Sequence, residues 1–264
     1  MDWDADTIVR TLERSDLLRA PFRDVGAPSS VGLVARTSYR ARVDDPRVMW
    51  VSHIAPDRDP HALWSELVEV AHSRGCSTIS CQATDRLTPG SHERVMRDLG
   101  FTLEADGHVL GAPVESLEPR TPQRQVELTA TARSLAAASR VRATLWGTPP
   151  MSTDEATAIT EAMTKLPLRE RTKHDMVVWL NHQPAAVGHL DVHGHVGTLE
   201  DAATLPEYQQ MGAYTATVDA RLMLARAVGC HTVVAFTEND MARRVLQSRG
   251  LQVVDTTRLY TLNL

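Results

Sequence analysis

The stretch AHSRGCSTISCQATD, Ala71 to Asp85, has a counterpart later in the chain, ARAVGCHTVVAFTEN, Ala225 to Asn239. Each reads as a helix end, a glycine, a cysteine and then an apolar strand led by threonine. A second pair follows in the same order: RVMRDLGF, Arg94 to Phe101, and RVLQSRGL, Arg244 to Leu251, each a short amphipathic helix closing at glycine before another strand. Two matches, in one order and at similar separations, specify a duplicated supersecondary unit. The chain must then build two similar alternations of strand and helix.

At 264 residues the length suits a single α/β domain or two domains of about 100–150 residues each. Between the repeats lies GAPVESLEPRTPQRQ, Gly111 to Gln125, whose prolines remove backbone donors and whose polar residues offer no buried face. We read a domain at 1–112, a linker at 113–125 and a second domain at 126–264. In the second half the patterning predicts strand Val126 to Thr131, helices Ser134 to Leu145 and Thr153 to Thr164, and strands Met176 to Asn181, Ala186 to Val192 and Val196 to Leu205. Helix Ala213 to Val228, strand Thr232 to Thr237, helix Asp240 to Arg249 and strand Gln252 to Leu262 follow. NHQP, Asn181 to Pro184, and HGH, His193 to His195, have the composition of tight hairpin turns. Hairpin-linked strands followed by a helical crossover imply a mixed sheet, mostly antiparallel, with one parallel pair. The fold class is α/β (α+β).

Hydrophobic content of 42% with 23% charged residues is that of a globular protein, and a net charge of -5 argues against a dedicated nucleic-acid surface. No apolar run approaches the roughly 20 residues that span a bilayer, and MDWDADTIVRTLERSD is acidic where a secretion signal is basic and then apolar. The expected setting is the cytoplasm, with no membrane partner. Cys76, Cys81 and Cys230 form no CxxC pair and read as small core residues of a reducing compartment.

The segment TLPEYQQMGAYTATVDARLMLARAVG, Thr204 to Gly229, joins a strand to a long helix through PEYQQMG. A helix opening beside parallel strand ends presents unpaired N–H groups, and such a terminus attracts phosphate. Gly212 allows close approach to the backbone, and Gln209 and Gln210 add side-chain donors.

PEYQQMGAY resembles the pyrophosphate loop of the GNAT superfamily of acyltransferases, Q/R-x-x-G-x-G/A, with Gln209 at its first position and Gly212 at its fourth. NDMARRVLQSRGL, Asn239 to Leu251, is similar to the family's next segment, N-x-x-A-x-x-x-Y-x-x-x-G-F, through Asn239, Ala242 and Gly250. The resemblance covers Val126 to Leu264 and implies that Gln209, Gln210, Met211, Gly212, Ala213 and Tyr214 cradle the pyrophosphate of an acyl-CoA. It further implies that backbone groups of Ala203, Thr204 and Leu205, on a splayed strand, grip the thioester. Asn239 is expected either to touch the pantetheine arm or to cap its helix.

Two positions depart from the family pattern. Tyr214 stands where members have Gly or Ala, so the cradle is expected to be tighter or the pyrophosphate displaced. Leu246 stands where many have a tyrosine that protonates the leaving thiolate, and leucine has no proton to give. The first half is expected to be a degenerate copy: PDRDPHALW lacks the glutamine and glycine, and Asp57 and Asp59 would repel a pyrophosphate.

Glu200 is the favoured catalytic base, with Asp201 its neighbour on the opposite face and a plain surface carboxylate as the alternative. His189 is a candidate base or substrate contact, or a hydrogen-bonded structural histidine. His189, Asp191, His193 and His195 share strand parity, yet Gly194 should turn the last two outward, and no metal is expected. The leading expectation is an acyl-CoA-dependent N-acyltransferase, with acetyl-CoA or another acyl-CoA as co-substrate and a small-molecule amine as acceptor, acting as a monomer or homodimer. The alternative is a GNAT-fold acyl-CoA decarboxylase or hydrolase, or a non-catalytic acyl-CoA-binding protein. Dinucleotide binding is disfavoured, since no G-x-G-x-x-G follows a strand.

Overall fold

A computed structural model describes residues 32–36, 39–43, 48–54, 59–85 and 90–264. These form two compact units, one of residues 110–252, the other of the described part of 4–109 with 253–264. Among the described residues, no helix is long and apolar enough to cross a membrane.

The first unit holds strands β1 (Gly32–Arg36), β2 (Tyr39–Val43) and β3 (Val48–Ile54), helix α1 (Pro60–Ser73), strand β4 (Thr78–Thr84) and helix α2 (Gly90–Asp98). Strands β1 to β3 are antiparallel, and α1 carries the chain over to β4, which runs parallel to β3. Strand β5 (Thr102–Pro113) then leads into the second unit. The chain's last strand, β11 (Gln252–Asn263), pairs antiparallel with β4, from Thr257 against Thr84 to Asn263 against Thr78. Residues 253–264, expected in the second half's domain, therefore pack in the first unit. Their contribution is large. Tyr260 is fully buried among Leu63, Trp64, Met96 and Phe101. Its hydroxyl donates to the buried carboxylate of Glu93 (2.7 Å), which also accepts from Arg258 at 2.6 and 3.0 Å.

In the second unit the end of β5 is followed side by side by β10 (Thr232–Thr237), β9 (Val196–Thr204), β8 (Gln183–His193), β7 (Lys173–Leu180) and β6 (Gln125–Leu128). Four helices flank these strands: α3 (Ala132–Trp146), α4 (Thr153–Thr164), α5 (Ala213–Val228) and α6 (Asp240–Gln247). Local chemistry sets their ends. Thr131 with Ser134, and Ser152 with Glu155, form reciprocal capping boxes that open α3 and α4. Asn181 and His182, with φ of 49° and 63°, make the two-residue primed turn between β7 and β8.

Alternation along the strands divides the side chains between two helix layers. Leu190, Leu199, Val233 and Ala235 pack under Val218, Leu222 and Ala225 of α5. Val177, Trp179 and Val187 pack under Ala137, Ala138 and Val141 of α3. By the same period His189 and Asp191 lie on the α3 face.

Every second-half element expected from the patterning is present, with ends displaced by up to three residues. The segment 111–125 differs from expectation. Its first residues finish β5, and Val114 and Leu117 are buried in the core beneath α5. The Arg226 guanidinium fixes this stretch by donating to the carbonyls of Val114 (3.0 Å) and Leu117 (2.9 Å). The dispersed apolar residues VxxL, among prolines, left no period to read.

The repeats match in geometry. Gly75 and Gly229 both have positive φ, and the following cysteine donates to the same helical position: Cys76 to Ala71 O (3.0 Å), Cys230 to Ala225 O (2.9 Å). Gly100 and Gly250 repeat the device, with Phe101 donating to Met96 O and Leu251 to Leu246 O. All three cysteines are buried and free.

Because Tyr260 fills the first unit's core from the chain's far end, Tyr260→Ala should destabilise that unit by about 3–5 kcal/mol, the range for deleting a buried aromatic. Denaturant unfolding followed by Trp64 fluorescence measures it.

Candidate active site

Parallel pairing of β9 with β10 runs from Val196 against Thr232 to Leu199 against Ala235 and stops. Strand β9 stays paired with β8 as far as Thr204 against Ala186, so its second half leaves β10 while holding β8. A bulge marks the parting. Between the pairs His189–Glu200 and Val187–Ala203, β8 has Gly188 and β9 has two residues, Asp201 and Ala202. Asp201 takes a left-handed φ of 46°, the geometry that an extra bulge residue demands. Leu205 N–H is bound to Ala185 O at 2.9 Å. Alternate N–H groups on a strand point the same way, so Thr204 presents its N–H on the opposite edge, toward the gap.

The α3 face beside the gap carries a chain of charges. The Arg142 guanidinium donates to Asp175 Oδ1 in a short ion pair. The same oxygen lies 2.9 Å from His189 Nδ1, and Asp191 Oδ1 lies 2.9 Å from His189 Nε2. Burial alone would lower the His189 pKa, but hydrogen bonds and charges from the two aspartates outweigh it and hold the imidazole at about 9. Burial pushes Asp175 up, and His189 with Arg142 overcomes this to hold it at about 2. At neutral pH the imidazole is a cation clamped between two anions.

Glu200 is the direct cross-strand neighbour of His189. Burial raises its pKa to about 7, helped by the negative charges of Asp191 and Asp201 and opposed by His189. Such a carboxyl exchanges protons near neutrality. Asp201, the alternative base, is exposed and sits in the bulge.

Following β9, a short 3-10 turn (Pro206–Tyr208) leads to Gln209 and then to Gln210, whose φ is 62°. Gly212 opens α5 with φ of 81° and no side-chain cap, leaving the first-turn amides of Ala213 and Tyr214 facing outward. A Cβ at Gly212 would meet only Arg124 Nε, at 3.9 Å. Arg124 donates from Nε to Met211 O (3.0 Å), which adds a cation to the rim of this cradle. Tyr214 turns inward and packs on the core under α5, beside the Arg221 guanidinium. The tighter cradle expected from its bulk is not the geometry found. Asn239 Oδ1 accepts from Met241 N (2.8 Å) and Ala242 N (3.1 Å), so its oxygen caps α6. Leu246 is buried in the core under α5.

Comparison with known families fits this geometry: the Acetyltransferase (GNAT) family model matches residues 139–251. Residues 139–251 are thus similar in sequence to GNAT acetyltransferases. A GCN5-related N-acetyltransferase from Kribbella flavida is similar in fold, with a TM-score of 0.66 at 15% identity over 97% of this chain and 93% of that one. A GCN5-related N-acetyltransferase from Sphaerobacter thermophilus superposes with a TM-score of 0.62 at 15% identity, covering 99% and 86% of the two chains. A tandem GNAT protein from the clavulanic acid biosynthesis pathway gives 0.62 at 12% identity, covering 98% and 96%. No curated protein sequence matches the chain.

Within the second unit the structure brings Glu200 and His189 side by side and sets Ala203, Thr204 and Leu205 along the gap. Gln209 to Tyr214 lie at the mouth of α5. His193 and His195 do not join His189: Gly194 and His195 form the turn, and the His195 ring stacks on His231 at 4.2 Å. Sequence reading missed Arg142 and Asp175, which reach the site from α3 and β7, and Arg124, which reaches it from the start of β6. The acid–base alternation KHDMVV at the head of β7 was the one available signal for Asp175.

The pairing of His189 makes stability pH-dependent. Its folded pKa, about 9, lies above the ordinary value near 6.5, so the stabilisation is complete below about pH 6.5 and is lost as pH rises through 9. Melting temperature measured from pH 6 to pH 10 should fall over that window, and His189→Gln should flatten the fall.

Proposed function

We propose that the protein is an acyl-CoA-dependent N-acyltransferase that moves an acetyl or other acyl group to a small-molecule amine in the second unit. The observation that carries this reading is one carboxyl poised near neutrality, Glu200, where β9 leaves β10, next to a glycine-opened helix terminus. The pyrophosphate rests on the amides of Gln209 to Tyr214, the helix dipole and Arg124 adding attraction. The thioester lies in the gap between β9 and β10, where the Thr204 N–H faces the developing oxyanion.

The acceptor's ammonium gives one proton to water on entering, and Glu200, as carboxylate, takes the second proton, which the attacking nitrogen loses as it bonds to carbon. The amine attacks the thioester carbonyl, the C–N bond forms, and the tetrahedral oxyanion collapses by breaking C–S to release CoA thiolate. The amine's proton ends on Glu200, and the thiolate takes its own from water, because Leu246 has none to give. The carboxylates of Glu200 and Asp201, outside the neutral chain of Arg142, Asp175, His189 and Asp191, favour a cationic acceptor. His189, with both ring nitrogens engaged, holds Asp175 and Asp191 in place and does not compete as a base.

Within this reading the first unit is a degenerate copy of the second. Its support is the shared strand–helix–parallel-strand order and the matching glycine–cysteine helix ends. In this copy the Asp59 carboxylate accepts from Ala62 N (2.9 Å) at the mouth of α1, filling with a negative charge the place a phosphate would take. Asp57 lies outside the described residues. The setting we propose is cytoplasmic, for a monomer or homodimer with neither a nucleic-acid nor a membrane partner.

The buried Leu246 favours a second reading, a decarboxylase, hydrolase or acyl-CoA-binding protein of the same fold, which needs no tyrosine to protonate a leaving thiolate in an amine transfer. Calorimetric titration with acetyl-CoA and malonyl-CoA, followed for thiol release with and without a panel of amines, separates the two. Amine-dependent release is expected. Release or decarboxylation without amine, or binding without turnover, selects the second reading. Glu200→Gln should lower kcat by about 10²–10⁴-fold with acyl-CoA affinity kept, and wild-type kcat/KM should rise with pH through an apparent pKa about 7. Gly212→Glu should abolish acyl-CoA binding with the circular dichroism spectrum unchanged; retained affinity would remove the assignment of this loop.

A further inference from the structure

Beneath the bulge, on the face opposite His189, lies a cation that the proposed chemistry does not use. Arg221, in the middle of α5, is fully buried, with 1% of its surface exposed. Burying a guanidinium is costly unless its donors are satisfied. Among the described residues, its hydrogen bonds go to carbonyl and hydroxyl oxygens and none goes to a carboxylate. Nε donates to Thr217 O (3.1 Å) and Nη2 to Thr217 Oγ1 (3.3 Å), anchoring the group to its own helix. Nη1 reaches across to the sheet and donates to two carbonyls, His189 O (3.4 Å) and Glu200 O (3.3 Å).

Those carbonyls belong to the last cross-strand pair before the bulge, on β8 and β9 respectively. One nitrogen therefore bridges the two strands at the point where their register breaks, directly behind the backbone of Glu200. The space for it comes from Gly188, the residue of β8 opposite the bulge. A Cβ there would stand 3.0 Å from Arg221 Nε, 3.1 Å from Thr217 Cβ and 3.3 Å from Arg221 Cδ. The glycine and the arginine form one device: a missing side chain on the strand and a long one on the helix.

We propose that Arg221 is a positioning residue that locks the β8–β9 bulge and thereby sets both the direction of Glu200 and the departure of β9 from β10. The proposal rests on the reading of Glu200 as the base. The lock acts through geometry rather than charge, since the same atom must reach two carbonyls on different strands. Lysine, with one ammonium and no planar fork, cannot hold the arrangement Arg221 makes while also bonding Thr217.

The test compares Arg221→Lys, Arg221→Met and Gly188→Ala with wild type and Glu200→Gln. With the fold retained by circular dichroism, all three should lose about 10–100-fold in kcat while the Kd for acetyl-CoA stays within about two-fold. The pH limb near 7 should move down toward the ordinary carboxylate range as Glu200 gains water. Gly188→Ala combined with Arg221→Lys should be no worse than either alone, because both break the same lock. Backbone hydrogen exchange needs no turnover, and it should accelerate at residues 200–204 in each variant while remaining unchanged in α3. An unmoved pH limb and unchanged exchange at 200–204 in folded Arg221→Lys would show that Arg221 only fills the core, and would overturn the proposal. If Glu200→Gln alone leaves activity intact, the reading of the base fails instead, and exchange at 200–204 still decides whether Arg221 locks the bulge.

Discussion

The pairing of β9 with β10 lasts four residues, and what the second unit can do follows from its ending at Leu199 and Ala235. A strand that leaves one neighbour while keeping the other exposes a row of backbone groups that nothing in the sheet satisfies. Such groups must find water or a ligand. Here the exposed edge lies between a poised carboxyl at Glu200 and a helix opening at Gly212, so an extended ligand with a polar carbonyl and an anionic tail fits both ends. The parting itself has a cause. The extra residue at Asp201 adds twist to β9, and the left-handed φ there turns the strand away from β10.

Charge is arranged differently on the two faces of these strands. On the α3 face Arg142, Asp175, His189 and Asp191 form a chain of alternating sign, each member satisfied by its neighbours. The chain neutralises itself, which leaves Glu200 beside it as the carboxyl without an ion-pair partner among the described residues. That is why burial prevails at Glu200 and raises its pKa, whereas at Asp175 the same influence, the largest single one, is outweighed by His189 and Arg142 together. On the α5 face the buried cation Arg221 is bound by neutral oxygens. A charged partner there would draw the guanidinium off the strand carbonyls.

The features legible in the sequence are those made by neighbours along the chain. Gly212 after a glutamine pair, the Asn181–His182 turn and the glycine–cysteine helix ends all depend on a few consecutive residues, and all are where the spacing puts them. What escaped reading is made by residues far apart. Nothing near Arg142 signals that it will meet Asp175 across the α3–β7 packing, and nothing near Gly188 signals Arg221. Strand β11 is the larger case. Its alternation marks it as a strand, but periodicity carries no information about which edge it will join, and its partner proves to be β4. Tyr214 shows the limit of a motif: its size suggested an obstructed cradle, while an inward rotamer, held in apolar packing beside Arg221, leaves the helix mouth open.

The two units answer the same local problem in opposite ways. Each carries a helix between parallel strands, and each helix begins with amides that lack partners within the helix. In the first unit Asp59 supplies the partner from the chain itself, and its negative charge suits the positive end of the helix dipole. That helix end is complete and would repel an anion. In the second unit Gly212 supplies nothing, and its φ of 81° is one that few side chains tolerate. The helix is less stable for it by only about a few tenths of a kcal/mol, and the unsatisfied amides are what an anionic ligand can reward. One side chain at the entry of an otherwise similar helix thus decides whether the end serves the fold or a ligand.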